Sequence, residues 1–200
     1  MKNTTNFFEQ NLRYEIRIAG SGGQGIILAG IMLAEAAILD GKYAVQSQSY
    51  GAETRGGNSI SEVVLSDTEI DYPRAVELDL LVALTQEACD RNLPDVKAEG
   101  LVIVDSDSVH RVLWGKLASL PFSQIARRAG EERAINVAAL GAIASFCSSI
   151  SPESLAKAIA KRLPRAKVAA NLQAFDEALK LAHNLRKSLQ FIETKNGFEI

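Results

Sequence analysis

The sequence predicts an α/β protein: a doubly wound, Rossmann-like sheet sandwiched by helices, with a helical C-terminal third. Three observations predict it. A β-rich segment, Tyr14 to Ala19, stops at glycines and passes into an Ala/Leu/Ile-rich helical segment. Two nearly continuous apolar runs, Leu78 to Leu84 and Leu101 to Val104, have the composition of strands covered on both faces. From Phe122 onward the pattern is almost wholly helical.

Taken in order, Tyr14 to Ala19 is the first strand and Ile26 to Leu39 a helix buried on most sides, ended by Asp40-Gly41. Tyr43 to Gln48 is a second strand, Ser49 to Asn58 a glycine-rich loop, and Ser59 to Leu65 a third strand. Glu69 to Tyr72 reads as a short edge strand closed by Pro73. A short helix, Glu87 to Asn92, separates the two apolar strands. Helices are then expected at Phe122 to Ala129 and Ile135 to Ser148. Another opens at Ser151-Pro152-Glu153, a serine N-cap with proline in the first turn. Val168 to Leu189 is the last. The divisions are an N-terminal arm, 1–13, a single α/β domain, 14–185, and a tail, 186–200.

Composition narrows the function. The chain has 200 residues, 47% of them apolar, and a net charge of −2. That supports a real core and argues against nucleic acid as the main partner. The two cysteines, Cys89 and Cys147, cannot furnish an iron–sulfur ligand set, and with His110 and His183 they show no metal spacing. No catalytic or metal residue is assigned. The N-terminus lacks the apolar run of a signal peptide, and no run of about 18 apolar residues occurs. The expectation is a cytoplasmic protein with no membrane contact.

Two loops carry the functional signal. Gly20, Gly22 and Gly25 fit G-x-G-x-x-G between a strand and a helix. There Gly20 permits a tight turn, Gly22 a close backbone approach, and the helix N-terminus offers free N–H groups to an anion. A nicotinamide site also needs an acid at the end of the second strand, and that strand ends Gln46-Ser47-Gln48. A nicotinamide-dependent dehydrogenase is therefore the weaker alternative. The second loop, Tyr50 to Asn58, crowds an aromatic, an acid, a base and glycines together. Arg55 suits a phosphate or carboxylate, and Glu53 could pair with it. The bland alternatives stay open: glycines that only pack a strand–turn–helix, and a turn held by one salt bridge. The candidate contact residues are Gly20, Gly22, Gly23, Gln24 and Gly25, then Ser49, Tyr50, Glu53, Arg55, Gly56, Gly57 and Asn58.

GSGGQG followed by SYGAETRGGN resembles the gamma subunit, or gamma domain, of 2-oxoacid:ferredoxin oxidoreductases. The likeness extends through Ile70 to Pro73, Asp79 to Leu84, the N-x-x-x-L-G of Asn136 to Gly141, and Asn171 to Phe175. The helix at Asp176 reads Asp-Glu-Ala where family members often have glycine. The resemblance implies one part of a complex that converts a 2-oxoacid, coenzyme A and oxidised ferredoxin to acyl-CoA, carbon dioxide and reduced ferredoxin. It further implies that thiamine diphosphate, magnesium and the Fe–S clusters sit in partner chains: thiamine-binding alpha and beta subunits and a ferredoxin-like subunit. On that reading this chain supports assembly, meets coenzyme A or a partner subunit at its glycine loops, and holds no cofactor alone. Isolated, it is expected to be inactive and to self-associate. The loop sequence leans towards the 2-oxoglutarate type over the pyruvate type. The beta-type subunit of indolepyruvate ferredoxin oxidoreductase is the nearest alternative.

Overall fold

The structure, a computed structural model, describes residues 13–50 and 57–196, with side chains to residue 187. Its centre is one six-stranded sheet. The strands are β1 (Tyr14–Ser21), β2 (Tyr43–Tyr50), β3 (Asn58–Ser66), β4 (Leu78–Ala83), β5 (Val96–Asp105) and β6 (Leu117–Leu120). Their spatial order is β2-β3-β1-β4-β5-β6. β1, β4, β5 and β6 run parallel, while β3 is antiparallel to both β1 and β2. The helices are α1 (Ile26–Leu39), α2 (Gln86–Asn92), α3 (Phe122–Arg128), α4 (Ile135–Phe146), α5 (Pro152–Arg162) and α6 (Arg165–Asn196).

This is the expected α/β sheet between helices, with one insertion that local pattern does not reveal. β3 turns back between β1 and β2, so the first two strands are not neighbours. The expected edge strand at Glu69 to Tyr72 is a correction: 67–77 is irregular. Its backbone bonds go to side chains instead, with Val76 and Glu77 N–H both donating to the buried Glu15 carboxylate at 2.5 and 3.0 Å. One edge of the sheet is β6, four residues reading LASL, too short to carry a period. β5 begins five residues before the apolar run, across a register shift between Leu78 and Leu80. α6 starts before Val168 and runs on to Asn196.

The sheet's two faces are covered unequally. Ile16, Ile18, Val63, Leu65, Leu80, Val82 and Ile103 bury themselves under α1 and α3 to α6. α4 is buried from Ile135 to Ser145, as its all-apolar sequence requires. Gly141 lets α6 come against it: a Cβ there would stand 2.3 Å from Phe175 O. The opposite face, with Val64, Leu81, Val102 and Val104, lies under α2 and irregular segments. α5 starts as read, with Ser151 Oγ accepting from Ser154 N–H at 3.2 Å and proline in the first turn.

Candidate functional site

The carboxyl ends of β1, β4, β5 and β6 share one end of the sheet, where α/β folds place ligands. The glycine turn after β1 occupies it. Gly20 is still strand, paired with Ser59, so it does not make the tight turn the motif suggests. Its missing side chain makes room for Gln24, whose Oε1 would stand 2.4 Å from a Cβ there. That oxygen instead accepts from Ser21 N–H at 2.8 Å and closes the turn on itself. The left-handed positions are Gly23, φ 93°, and Gly25, φ 73°, which side chains rarely adopt.

Gly25 is also the N-cap of α1, and it supplies no side-chain cap. No acid occupies the helix's first turn. The first-turn N–H groups and the positive end of the helix dipole thus have no side-chain acceptor. Beside them is a cavity of about 190 Å³, lined by Gly23, Gly25, Arg133, Asn136, Lys167 and Asn171 among others. Asn136 and Asn171 are each 4% exposed. Asn136 Nδ2 donates to Gly25 O at 3.0 Å and its Oδ1 accepts from Val137 N–H at 2.9 Å, joining α4 to the glycine turn. Asn171 Nδ2 donates to Lys167 O at 2.9 Å. Lys167 pairs with Glu131 at 2.9 Å, and this hydrogen bond holds the Glu131 carboxyl below its ordinary range.

The two predicted loops do meet. Gly22 N–H donates to Gly57 O at 3.0 Å, and Ser21 lies opposite Asn58. Asn58 Oδ1 is buried, with no hydrogen-bond partner among the described residues. Ser49 and Tyr50 end β2, with β3 between them and the glycine turn. Both are exposed. Glu53, Arg55 and Gly56 lie outside the described residues. Sequence reasoning did not assign Arg133, Lys167, Asn136 or Asn171 to this site. The two asparagines figured only in the helix motifs of the resemblance, and Asn136 is separated from Gly25 by 111 positions.

On the other face, Arg17 is 8% exposed and Glu62 6%. Arg17 Nη2 lies 2.7 Å from Glu62 Oε1, and its Nη1 donates to Asn92 Oδ1 at 3.1 Å and also to Asp95. Ser47 Oγ donates to Glu62 Oε2 at 3.1 Å. Cys89 and Cys147 are free, buried and in the cores of opposite faces. Desolvation, helped by Asp90, pushes the Cys89 thiol up to about 11, and burial raises Cys147. Neither is a poised nucleophile.

The described residues form an α/β domain with an uncapped helix N-terminus behind a glycine turn, an arrangement suited to receiving an anion. Comparison with known proteins gives the family. The chain belongs to the pyruvate ferredoxin/flavodoxin oxidoreductase family, which matches residues 15–181. It is 43% identical over 180 residues to the 2-oxoglutarate synthase subunit KorC of Methanocaldococcus jannaschii, covering 87% of this chain and 96% of that one. Among solved structures it is similar to the gamma subunit of a keto/oxoacid ferredoxin oxidoreductase from Geobacter sulfurreducens. That match has a TM-score of 0.76 and 45% identity, and covers 84% of this chain and 98% of the other. It also matches part of a 2-oxoglutarate:ferredoxin oxidoreductase from Magnetococcus marinus, solved with 2-oxoglutarate, coenzyme A and succinyl-CoA bound. There the TM-score is 0.76 at 27% identity, over 87% of this chain and 31% of that one.

Proposed function

We propose that this chain is the gamma subunit of a 2-oxoacid:ferredoxin oxidoreductase of the 2-oxoglutarate type. In that role it supports assembly, and its glycine turn meets coenzyme A beside partner chains that hold thiamine diphosphate, magnesium and the Fe–S clusters. The reaction consumes a 2-oxoacid, coenzyme A and oxidised ferredoxin and yields acyl-CoA, carbon dioxide and reduced ferredoxin. The 2-oxoglutarate assignment rests on the relatives' names at high coverage. The coenzyme A assignment rests on one observation: α1 begins uncapped beside a cavity carrying Arg133 and Lys167.

The residues present fit a phosphate group. Free first-turn N–H groups and two cations favour a polyanion, and coenzyme A is rich in phosphate. At about 190 Å³ the cavity suits one phosphate, not the whole molecule, whose length would run across the surface. Glu131 offsets part of the positive charge until an anion draws Lys167 away. Coenzyme A supplies the thiol that accepts the acyl group. This chain's part is to bind and orient it.

The test uses the reconstituted complex. A charge-assisted hydrogen bond contributes about 1.5–3 kcal/mol. Lys167→Ala, Arg133→Ala and Arg55→Ala should each raise the KM for coenzyme A by about tenfold or more, at about 1.4 kcal/mol per decade. The KM for the 2-oxoacid should stay put. Intact coenzyme A kinetics with a complex that dissociates on a sizing column would make this an assembly surface instead. Turnover by the isolated chain, with thiamine diphosphate, magnesium and viologen supplied, would overturn the subunit reading.

A further inference from the structure

The two edges of the sheet differ in a way the proposed activity does not use. β6 is a four-residue strand preceded by Lys116 and followed by Pro121, and α6 packs beside it. Short length, flanking charge and proline, and a covering helix are the usual defences of a sheet edge. β2 shares a flanking lysine, Lys42, and is covered by α1 on one face, but it lacks the short length and the proline. It is eight residues long, and its sequence YAVQSQSY contains no charge, proline or glycine. It pairs with β3 without a register shift from Tyr43↔Ser66 to Tyr50↔Ser59. No strand lies on its outer side among the described residues. A row of main-chain donors and acceptors is left there to be satisfied.

We propose that the outer edge of β2 is a strand-addition site, and that its occupant is β2 of a second copy of this chain. Main-chain groups in a row are matched best by another extended strand. An identical strand is self-complementary when a two-fold axis stands normal to the sheet. That operation runs the copies antiparallel and keeps each sheet face continuous, so α1 lies on the same side in both. The middle of the strand, Gln46 and Ser47, then lies near the axis. Since β2 is uncharged, the two-fold brings no like charges together along it. Apolar surface flanks the edge: Tyr43 is 52% exposed and Tyr50 66%, and just upstream Ile38 and Leu39 at the end of α1 are each 58% exposed. These side chains add buried area that strand pairing alone would lack.

The experiment is sedimentation equilibrium of the full chain over a concentration range, with hydrogen exchange of the β2 amides. A dimer is expected, with β2 amides slowing as it forms. Gln48→Lys, at an exposed position, puts a charge on the edge strand of each copy, a usual block to strand addition, and should weaken the dimer by about tenfold or more. Ser119→Lys, the same change at exposed Ser119 in β6, should leave it intact. Circular dichroism and melting temperature should match the parent for both, which separates lost association from lost folding. A monomer at every concentration would overturn the proposal, as would a dimer indifferent to Gln48→Lys. So would β2 amides that slow only when partner subunits are added, since that would give the edge to a different chain.

Discussion

The two faces of the central sheet solve burial by different physics. Under α1 and α3 to α6 the face is largely apolar, with Ser61 set against Gly30 of α1 and Asp105 bonded to Ser123 of α3, and α4 is buried on all sides. Under α2 and the irregular segments, the neighbouring strands bury Glu15, Arg17 and Glu62. On β1 the alternation is plain: Ile16 and Ile18 face the helices, while Glu15 and Arg17 face the other layer. That layer adds directed bonds to the apolar area of Val64, Leu81, Val102 and Val104. Glu15 collects the 67–77 segment through two backbone N–H groups, and Arg17 ties β1 to β3 and to Asn92 and Asp95 after β4. The comparison teaches that the helical face should tolerate changes of apolar shape, whereas the other should fail when one charge is removed.

The largest effect expected is at Arg17. Removing one partner of a buried pair strands the other, and such losses run to about 3–5 kcal/mol. Arg17→Met leaves Glu62 buried with Ser47 as its remaining side-chain partner. Asp95 is 48% exposed and can return to water, which favours the lower end of that range. Urea denaturation measures it. The double variant Arg17→Met/Glu62→Leu should recover much of the loss. If it does not, the cluster holds the layers by geometry and not by charge balance.

Why this cluster escaped sequence reasoning is itself physical. Its members come from β1, β3 and the turn after α2, and the antiparallel insertion of β3 that joins them is a pairing choice with no local signature. β6 escaped because LASL is too short for a period. What was legible was local. α1 has the predicted bounds because glycine, an Ala/Leu/Ile run and Asp40-Gly41 mark its ends, and Ser151-Pro152 marks α5. At the site, the glycine turn and its neighbour Gly57 were legible as motifs, while Arg133 and Lys167 arrive from distant helices by folding alone.

A smaller loss is expected on the helical face. Gly141→Ala puts a methyl against Phe175 O, 2.3 Å from an ideal Cβ, and Leu179 N, 3.0 Å away. Backbone cannot rotate aside, so α4 and α6 must part slightly, and overpacking of this kind costs about 1–3 kcal/mol. Gly141→Ala should lower the melting temperature without touching coenzyme A kinetics measured on the folded complex. An unchanged melting temperature would show that the two helices are not in close contact there.

The smallest effect, and the one that reports charge on the apolar side, is at Asp40. Burial disfavours ionising this carboxyl. Hydrogen bonds from Ser151 N–H at 2.6 Å, Ser154 Oγ at 2.6 Å and Ser151 Oγ at 2.9 Å outweigh that, so it titrates below its ordinary range. A lowered folded-state pKa means the stabilisation is complete above the unfolded value, about 3.9. It fades as pH falls through the lower folded value. Asp40→Asn keeps the shape but removes the charge that fastens the start of α5 to the end of α1, a loss of about 1 kcal/mol at neutral pH. The gap between parent and variant should then narrow as the medium is acidified below about pH 4. Paired denaturation curves at neutral and acid pH measure it. A gap that keeps its size in acid would mean the asparagine fails by geometry, and that the start of α5 owes nothing to ionisation.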